Sequence, residues 1–283
     1  MKLARFRHGG LVRLGLVLDH GIVDIDAHLA DAPATMLSLI ETFGQHKGGL
    51  SALHQLPADF SLDEVALLCP IERAGKIMGI GLNYADHVEE SGMEMPADQL
   101  WFSKAPTSLN GPFDGIELPR VSVALDYEVE LAIIIGKRAR HIARKTAQEA
   151  IFGYCVGNDT TVRDWQFKTS QFVLGKSFDT HAPIGPWIVT ADDLDPAALD
   201  IRCYVNDELR QSSNTRHLIF DCAAILEHLS KAMTLEPGDV IMTGTPSGVG
   251  AVMTPPRFLK VGDVVRSEID GIGTIINPVI DEA

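Results

Sequence analysis

LDYEVELAIIIGK, Leu125 to Lys137, decides how this chain is read. A strand alternates its side chains, so Leu125, Tyr127, Val129, Leu131, Ile133 and Ile135 take one face, and Asp126, Glu128, Glu130, Ala132 and Ile134 the other. Glu128 and Glu130 therefore point the same way, with Cα atoms about 7 Å apart. Two carboxylates that close repel unless a cation lies between them. A wet edge strand with an acidic face shows the same alternation, and this stretch alone does not separate the two readings. The LAIII run that follows is apolar on both faces and draws the glutamates toward an interior.

The 283 residues can bury a full core, with room for one large domain and a smaller companion. Hydrophobic residues at 46% and charged ones at 22% describe an ordinary globular protein. No stretch approaches the roughly 20 apolar residues of a membrane span, and MKLARFRHGG lacks a signal peptide's apolar core, so a cytoplasmic protein is expected. A formal net charge of −14 argues against nucleic-acid or anionic-membrane partners. An acidic substrate would need local cations. Cys69, Cys155, Cys203 and Cys222 lie far apart with no C-x-x-C pair, which indicates neither a zinc site nor a disulfide framework.

Residues 1–70 read as a small N-terminal domain: a meander with turns at Gly9-Gly10 and His20-Gly21, then a helix in ATMLSLIETF. Residues 71–283 form the larger unit. It opens with a strand from Lys76 to Ile80 and a short helix carrying His87 and Glu90. Gly79-Ile80-Gly81 is not a dinucleotide fingerprint, because Tyr84 stands at the third glycine. His87 and Glu90, three apart on a helix, share a face, so the carboxylate can orient the imidazole as a general base; surface pairs have the same spacing. Lys104, ending a short strand from Leu100, either reaches a site or is solvated, and KTAQEAIFG reads as a helix opened by a Thr146/Glu149 capping box.

YCVGNDTTVRDWQ is a strand ending in Asp159, with Arg163 and Gln166 just beyond. Joined to Glu128 and Glu130, Asp159 completes an oxygen-rich set suited to Mg²⁺ or Mn²⁺. Lys176, in a strand-like context, would be held protonated beside such carboxylates. Pro183 and Pro186 are expected to shape a turn before WIVT. The remainder is largely β, with a hairpin at Asn206-Asp207, a helix N-capped by Asp221, and a glycine-rich loop holding Gly244, Thr245, Gly248 and Gly250. Such a loop lets backbone N–H groups approach an anion, and the Walker lysine of a phosphate loop is absent.

Taken in order, GLNYADHVEE, DYEVELAIIIGK, NDTTVRDWQ, LGKSFDTHAPIGPW and PGDVIMTGTPSGVG followed by PPRFLKVGD resemble the fumarylacetoacetate hydrolase family, in the branch of small FAH-domain-containing proteins. The resemblance runs from about Lys76 to the C-terminus. It implies an α+β, β-rich fold, a mixed β-sandwich roll with flanking helices behind a small N-terminal α+β domain, and a homodimer. It implies Glu128, Glu130 and Asp159 as Mg²⁺ or Mn²⁺ ligands, Lys176 as the active-site lysine, and His87 with Glu90 as a dyad on a closing segment. Arg163, Gln166, Thr245, Gly244 and Lys104 are expected around a substrate. His181 departs from the aromatic or apolar residue expected in its motif.

The implied chemistry is hydrolysis of a carbon–carbon bond in a 2,4-diketo acid of the acylpyruvate type, through a pyruvate-like enolate. Oxaloacetate decarboxylation or tautomerisation and diene-dioate isomerisation use the same residues. A non-catalytic, metal-dependent binding protein on this fold is the alternative of a different class.

Overall fold

The computed structural model describes residues 1–90, 92 and 94–283. Its strand-rich α+β architecture is built on two main sheets and a two-stranded ribbon of Leu125–Asp126 with Thr161–Val162. The larger has eleven strands, and along its main path run Gly21–Asp24, Leu11–Leu18, Lys2–His8, Ala182–Thr190, Ile151–Asn158, Val129–Ile135, Val240–Met242, Ile77–Gly81 and Leu100–Lys104. The smaller has five: Glu208–Asn214, Asp200–Val205, Val264–Ile269, Gly273–Asp281 and Ile116–Leu118.

Val129–Ile135 sits in the middle of the larger sheet, antiparallel to Ile151–Asn158 and to Val240–Met242. The alternation of the sequence becomes two cores. Leu125, Tyr127, Val129, Leu131, Ile133 and Ile135 pack between the sheets with Ile201, Val265, Ile275 and the helix residues Ile225, Leu226 and Leu229. On the opposite face Ala132 and Ile134 pack under the helix Met36–Leu53 with Met36, Leu39 and Leu50. Each large aliphatic side chain among them contributes roughly 2 kcal/mol on burial. That apolar frame offsets the cost of the charged groups at the strand's leading end.

The N-terminal segment is tied to this frame, since Lys2 and Leu3 pair with Val189 and Ile188. Its turn at Gly9-Gly10 joins Lys2–His8 to Leu11–Leu18, and its helix is longer than the stretch expected, from a Thr35/Ser38 capping box through to Leu53. The hairpin at Asn206-Asp207 forms with both residues at positive φ, as a two-residue turn between antiparallel strands requires. Asp221 caps the helix Cys222–Ala232 by accepting from Ala224 N.

Three local expectations are corrected. Thr146 opens no capping box: Arg144–Ala150 is a 3₁₀ helix, with Thr146 Oγ1 donating back to Ala143 O. Pro183 and Pro186 lie inside the strand Ala182–Thr190, and Pro186 falls where its pairing with Ile151–Asn158 is irregular, between Gly185 and Val189. Lys176 sits in a turn, its N–H donating to Phe172 O, not in a strand.

Candidate metal centre and active site

Strand register brings the acidic residues together. Val129 faces Asn158 and Glu130 faces Gly157, so continuing the ladder by one residue sets Glu128 opposite Asp159, whose N–H donates to Glu128 O at 2.8 Å. Asn158 Oδ1 accepts from Glu128 N at 2.9 Å and holds the strand end in place. Glu128, Glu130 and Asp159 are all buried, and one carboxylate oxygen from each lies within 4.8 Å of the others.

Three buried cations line this acidic floor. Lys176 Nζ lies 2.7 Å from Glu128 Oε2 and 2.6 Å from Asp159 Oδ2, with the Phe102 ring 4.7 Å away. Lys104 Nζ lies 2.6 Å from Asp159 Oδ1, so this lysine, facing inward with Phe102 on its strand, is neither solvated nor part of a loose loop. Arg163 places Nη1 2.7 Å from Glu128 Oε1 and 3.1 Å from Gln166 Oε1, and Nε 2.8 Å from Asp126 Oδ2. Asp126, which the sequence reading leaves outside the site, is held by its neighbour Tyr127 N and by Arg163, Gly250 and Ala251 from distant segments.

Four carboxylates thus meet three cations. The uncompensated one is Glu130, which pairs with no lysine or arginine among the described residues. Burial, then the charges of Asp159 and Glu128, push its carboxyl well above the usual range. Burial also works against ionisation of Glu128, but Lys176 and Arg163 overcome it and hold the group down to about 2. The lysines differ: burial lowers Lys104, while at Lys176 burial is outweighed by Asp159 and Glu128, which raise it. An acidic floor one charge short, with oxygen donors from three chain positions, fits a divalent cation such as Mg²⁺ or Mn²⁺.

His87 and Glu90 stand on the helix Ala85–Glu90, with His87 Nδ1 3.6 Å from Glu90 Oε2. That Nδ1 is buried without a hydrogen-bond partner among the described residues. Asn83 anchors the segment, its amide donating to Phe220 O and Thr243 O and accepting from Phe220 N. The glycine-rich loop holds the other side: Ser247 Oγ donates to Asp86 Oδ2 at 3.0 Å, and Gly248 N donates to both oxygens of Glu90. Seated this way, His87 is near enough to Glu128 for an imidazolium there to lower that carboxyl's pKa.

Within that loop, Gly244 N donates to Glu130 Oε2 at 2.6 Å. Thr245 is buried, its hydroxyl donating to Val129 O and accepting from Gln211 Nε2, so the structure ties it to the fold. His181 is fully buried, with Nε2 2.8 Å from Glu117 O. A surface groove of about 830 Å³ shares no lining residue with the acidic floor. A cleft of about 740 Å³ runs beside the helix, lined by Asp86, Val88, Met95, Ser212 and His217.

The family model for the fumarylacetoacetate (FAA) hydrolase C-terminal domain matches residues 76–280. The chain is 43% identical over 275 residues to the mitochondrial oxaloacetate tautomerase fahd2 of Xenopus laevis, covering 95% of this chain and 86% of that one. It superposes on maleylpyruvate hydrolase from Sphingobium sp. SYK-6, solved with manganese(II) and pyruvate, with a TM-score of 0.85, 38% identity and both chains covered in full. It also superposes on 2-hydroxyhepta-2,4-diene-1,7-dioate isomerase from Mycobacterium marinum, with a TM-score of 0.79 and 33% identity over 100% of this chain and 99% of that one. The chain belongs to the fumarylacetoacetate hydrolase family and is an enzyme of it. Among the described residues no helix is long and apolar enough to cross a membrane.

Proposed function

We propose that this enzyme interconverts the keto and enol forms of a 2-oxo acid of the oxaloacetate type. The observation that carries this reading is a single base, His87, set against a buried floor of four carboxylates and three cations. Tautomerisation asks for no more than that: a group to take a proton from carbon and fixed charge to hold the oxyanion. Similarity over almost the whole chain to an oxaloacetate tautomerase supports it.

Glu128, Glu130 and Asp159 would hold a divalent cation, which would supply Lewis-acid positive charge for a bound 2-oxo acid. The remaining steps belong to the chain. His87 takes a proton from C3 while Glu90 faces its other ring nitrogen. The released electron pair forms the C2–C3 double bond and the carbonyl pair moves onto O2. Lys176, kept protonated by Glu128 and Asp159, donates a hydrogen bond to O2, and the proton held by His87 passes to O2, which restores the base. Burial of the floor excludes water, which strengthens each of these interactions.

Hydrolysis of an acylpyruvate is the second reading. It is favoured by the His87–Glu90 pairing, the arrangement of a base that activates water, and by the likeness to a maleylpyruvate hydrolase that holds pyruvate. The test is to follow enol-oxaloacetate, acetylpyruvate and fumarylpyruvate by ultraviolet absorbance with Mg²⁺ or Mn²⁺ supplied. Accelerated keto–enol exchange, lowered about 10²- to 10⁴-fold by His87→Ala, is expected. Cleavage of the acylpyruvates with no effect on oxaloacetate would reject tautomerisation in favour of hydrolysis.

A further inference from the structure

Asp126, on the short strand Leu125–Asp126 just ahead of Val129–Ile135, is fully buried, yet it stands outside the three-carboxylate group. Its acceptor capacity is already used. Oδ1 accepts from Tyr127 N at 3.0 Å and Gly250 N at 2.8 Å, and Oδ2 accepts from Ala251 N at 2.9 Å and Arg163 Nε at 2.8 Å. Arg163 is therefore held at two nitrogens, Nε by Asp126 and Nη1 by Glu128 and Gln166. Its third nitrogen, Nη2, is buried and has no hydrogen-bond partner among the described residues. A planar guanidinium fixed at two nitrogens cannot turn the third away, and a buried donor left unpaired is costly unless a ligand satisfies it.

We propose that Asp126 is a positioning residue: it fixes Arg163 so that Nη2 stays free as a donor to an anionic oxygen of the substrate. The proposal rests on the keto-acid reading above, because it needs an acid bound beside Glu128. The loop that holds Asp126 also holds the base. Gly248 N–H seats Glu90 while Gly250 and Ala251 N–H groups seat Asp126, so one loop sets His87 and Arg163 in a common frame. Glycine at 250 is what permits this approach, since a Cβ there would lie 2.8 Å from Asp126 Oδ1 and 2.2 Å from Arg257 O.

The experiment uses the full chain loaded with Mn²⁺, as wild type, Asp126→Asn, Asp126→Glu, Arg163→Lys and the Asp126→Asn/Arg163→Lys pair. Oxalate affinity is read by calorimetry, Mn²⁺ affinity by electron paramagnetic resonance, and KM and kcat on oxaloacetate. Asp126→Asn should weaken oxalate about 10-fold and raise KM more than it lowers kcat, leaving Mn²⁺ affinity within about 3-fold. The pair should bind oxalate no more weakly than Arg163→Lys alone, because both changes remove one arrangement. Should Asp126→Asn fail to fold, Asp126→Glu keeps the charge, displaces the guanidinium and should show the same oxalate loss. The proposal is overturned by wild-type-like oxalate affinity in the Asp126 variants, by losses that multiply in the pair, or by a wild type that binds no oxalate. If the oxalate pattern holds while oxaloacetate is not turned over, Asp126 keeps its role and the tautomerase reading fails.

Discussion

The backbone N–H of Gly244 donates to Oε2 of Glu130 at 2.6 Å, the one hydrogen bond this buried carboxylate receives among the described residues. A fixed backbone dipole is a weaker partner than a cation, which leaves Glu130 the floor's acceptor for added positive charge. Its folded-state pKa is raised, so the stability it contributes is complete below the unfolded carboxylate value and is lost as pH rises through the folded value. Glu130→Gln should therefore leave the metal-free chain at least as heat-stable as wild type at neutral pH while lowering Mn²⁺ affinity at least about 100-fold. Thermal melts of metal-free protein check this; a lower melting temperature in the variant would contradict it.

Gly244 itself is constrained. Its φ is +96°, and an added Cβ would lie 2.7 Å from Asn83 Cβ and 3.2 Å from Ile80 O. Gly244→Ala should cost about 1–3 kcal/mol, combining backbone strain with displacement of Asn83. Urea unfolding should show a lower midpoint at unchanged slope. A wild-type midpoint would mean that the loop absorbs the methyl group.

His181 gives the chain an acid-sensitive point. Burial is the main cause that lowers its pKa to about 4. A base depressed in the folded state stabilises fully above its unfolded value and loses that contribution as pH falls through the folded one. Between about pH 6.5 and about 4 the metal-free chain should therefore lose on the order of 3 kcal/mol through this group. In His181→Phe that limb of the stability profile should flatten, although neutral-pH stability falls with the lost contact to Glu117 O. An acid limb as steep as wild type would assign the loss to other groups.

Glu90 faces His87 and at the same time accepts from Gly248 N, so charge and seating can be separated. Glu90→Gln keeps an acceptor for Gly248 and removes the charge beside the imidazole. It should lower kcat on oxaloacetate roughly 10-fold with little change in KM or Mn²⁺ affinity. Steady-state kinetics decide; an effect confined to KM would make Glu90 a seating group alone.

The central strand could be read from sequence because it is buried on both sides: alternation sorted Leu131 and Ile133 from Ala132 and Ile134, and the two cores keep that division. The meeting of Glu128 with Asp159 depends on the register Val129 to Asn158, which no local pattern encodes. Lys104 was ambiguous for a related reason. Its strand is short, and only pairing with Ile77–Gly81 turns it inward beside Phe102. Asp126 lay in plain view on the acidic face, but its use is set by N–H groups at 250 and 251 and by Arg163, none of them near it in sequence.

The measurement that tests the central claim most directly is a titration of metal-stripped protein with Mn²⁺, followed by electron paramagnetic resonance, in wild type and in Glu128→Gln, Glu130→Gln and Asp159→Asn. The expected result is one tightly bound ion per wild-type chain, lost or greatly weakened in each variant while circular dichroism shows them folded. Equal Mn²⁺ binding by wild type and the three variants would contradict the account, because the carboxylates gathered at the end of Val129–Ile135 would then not be the ligands.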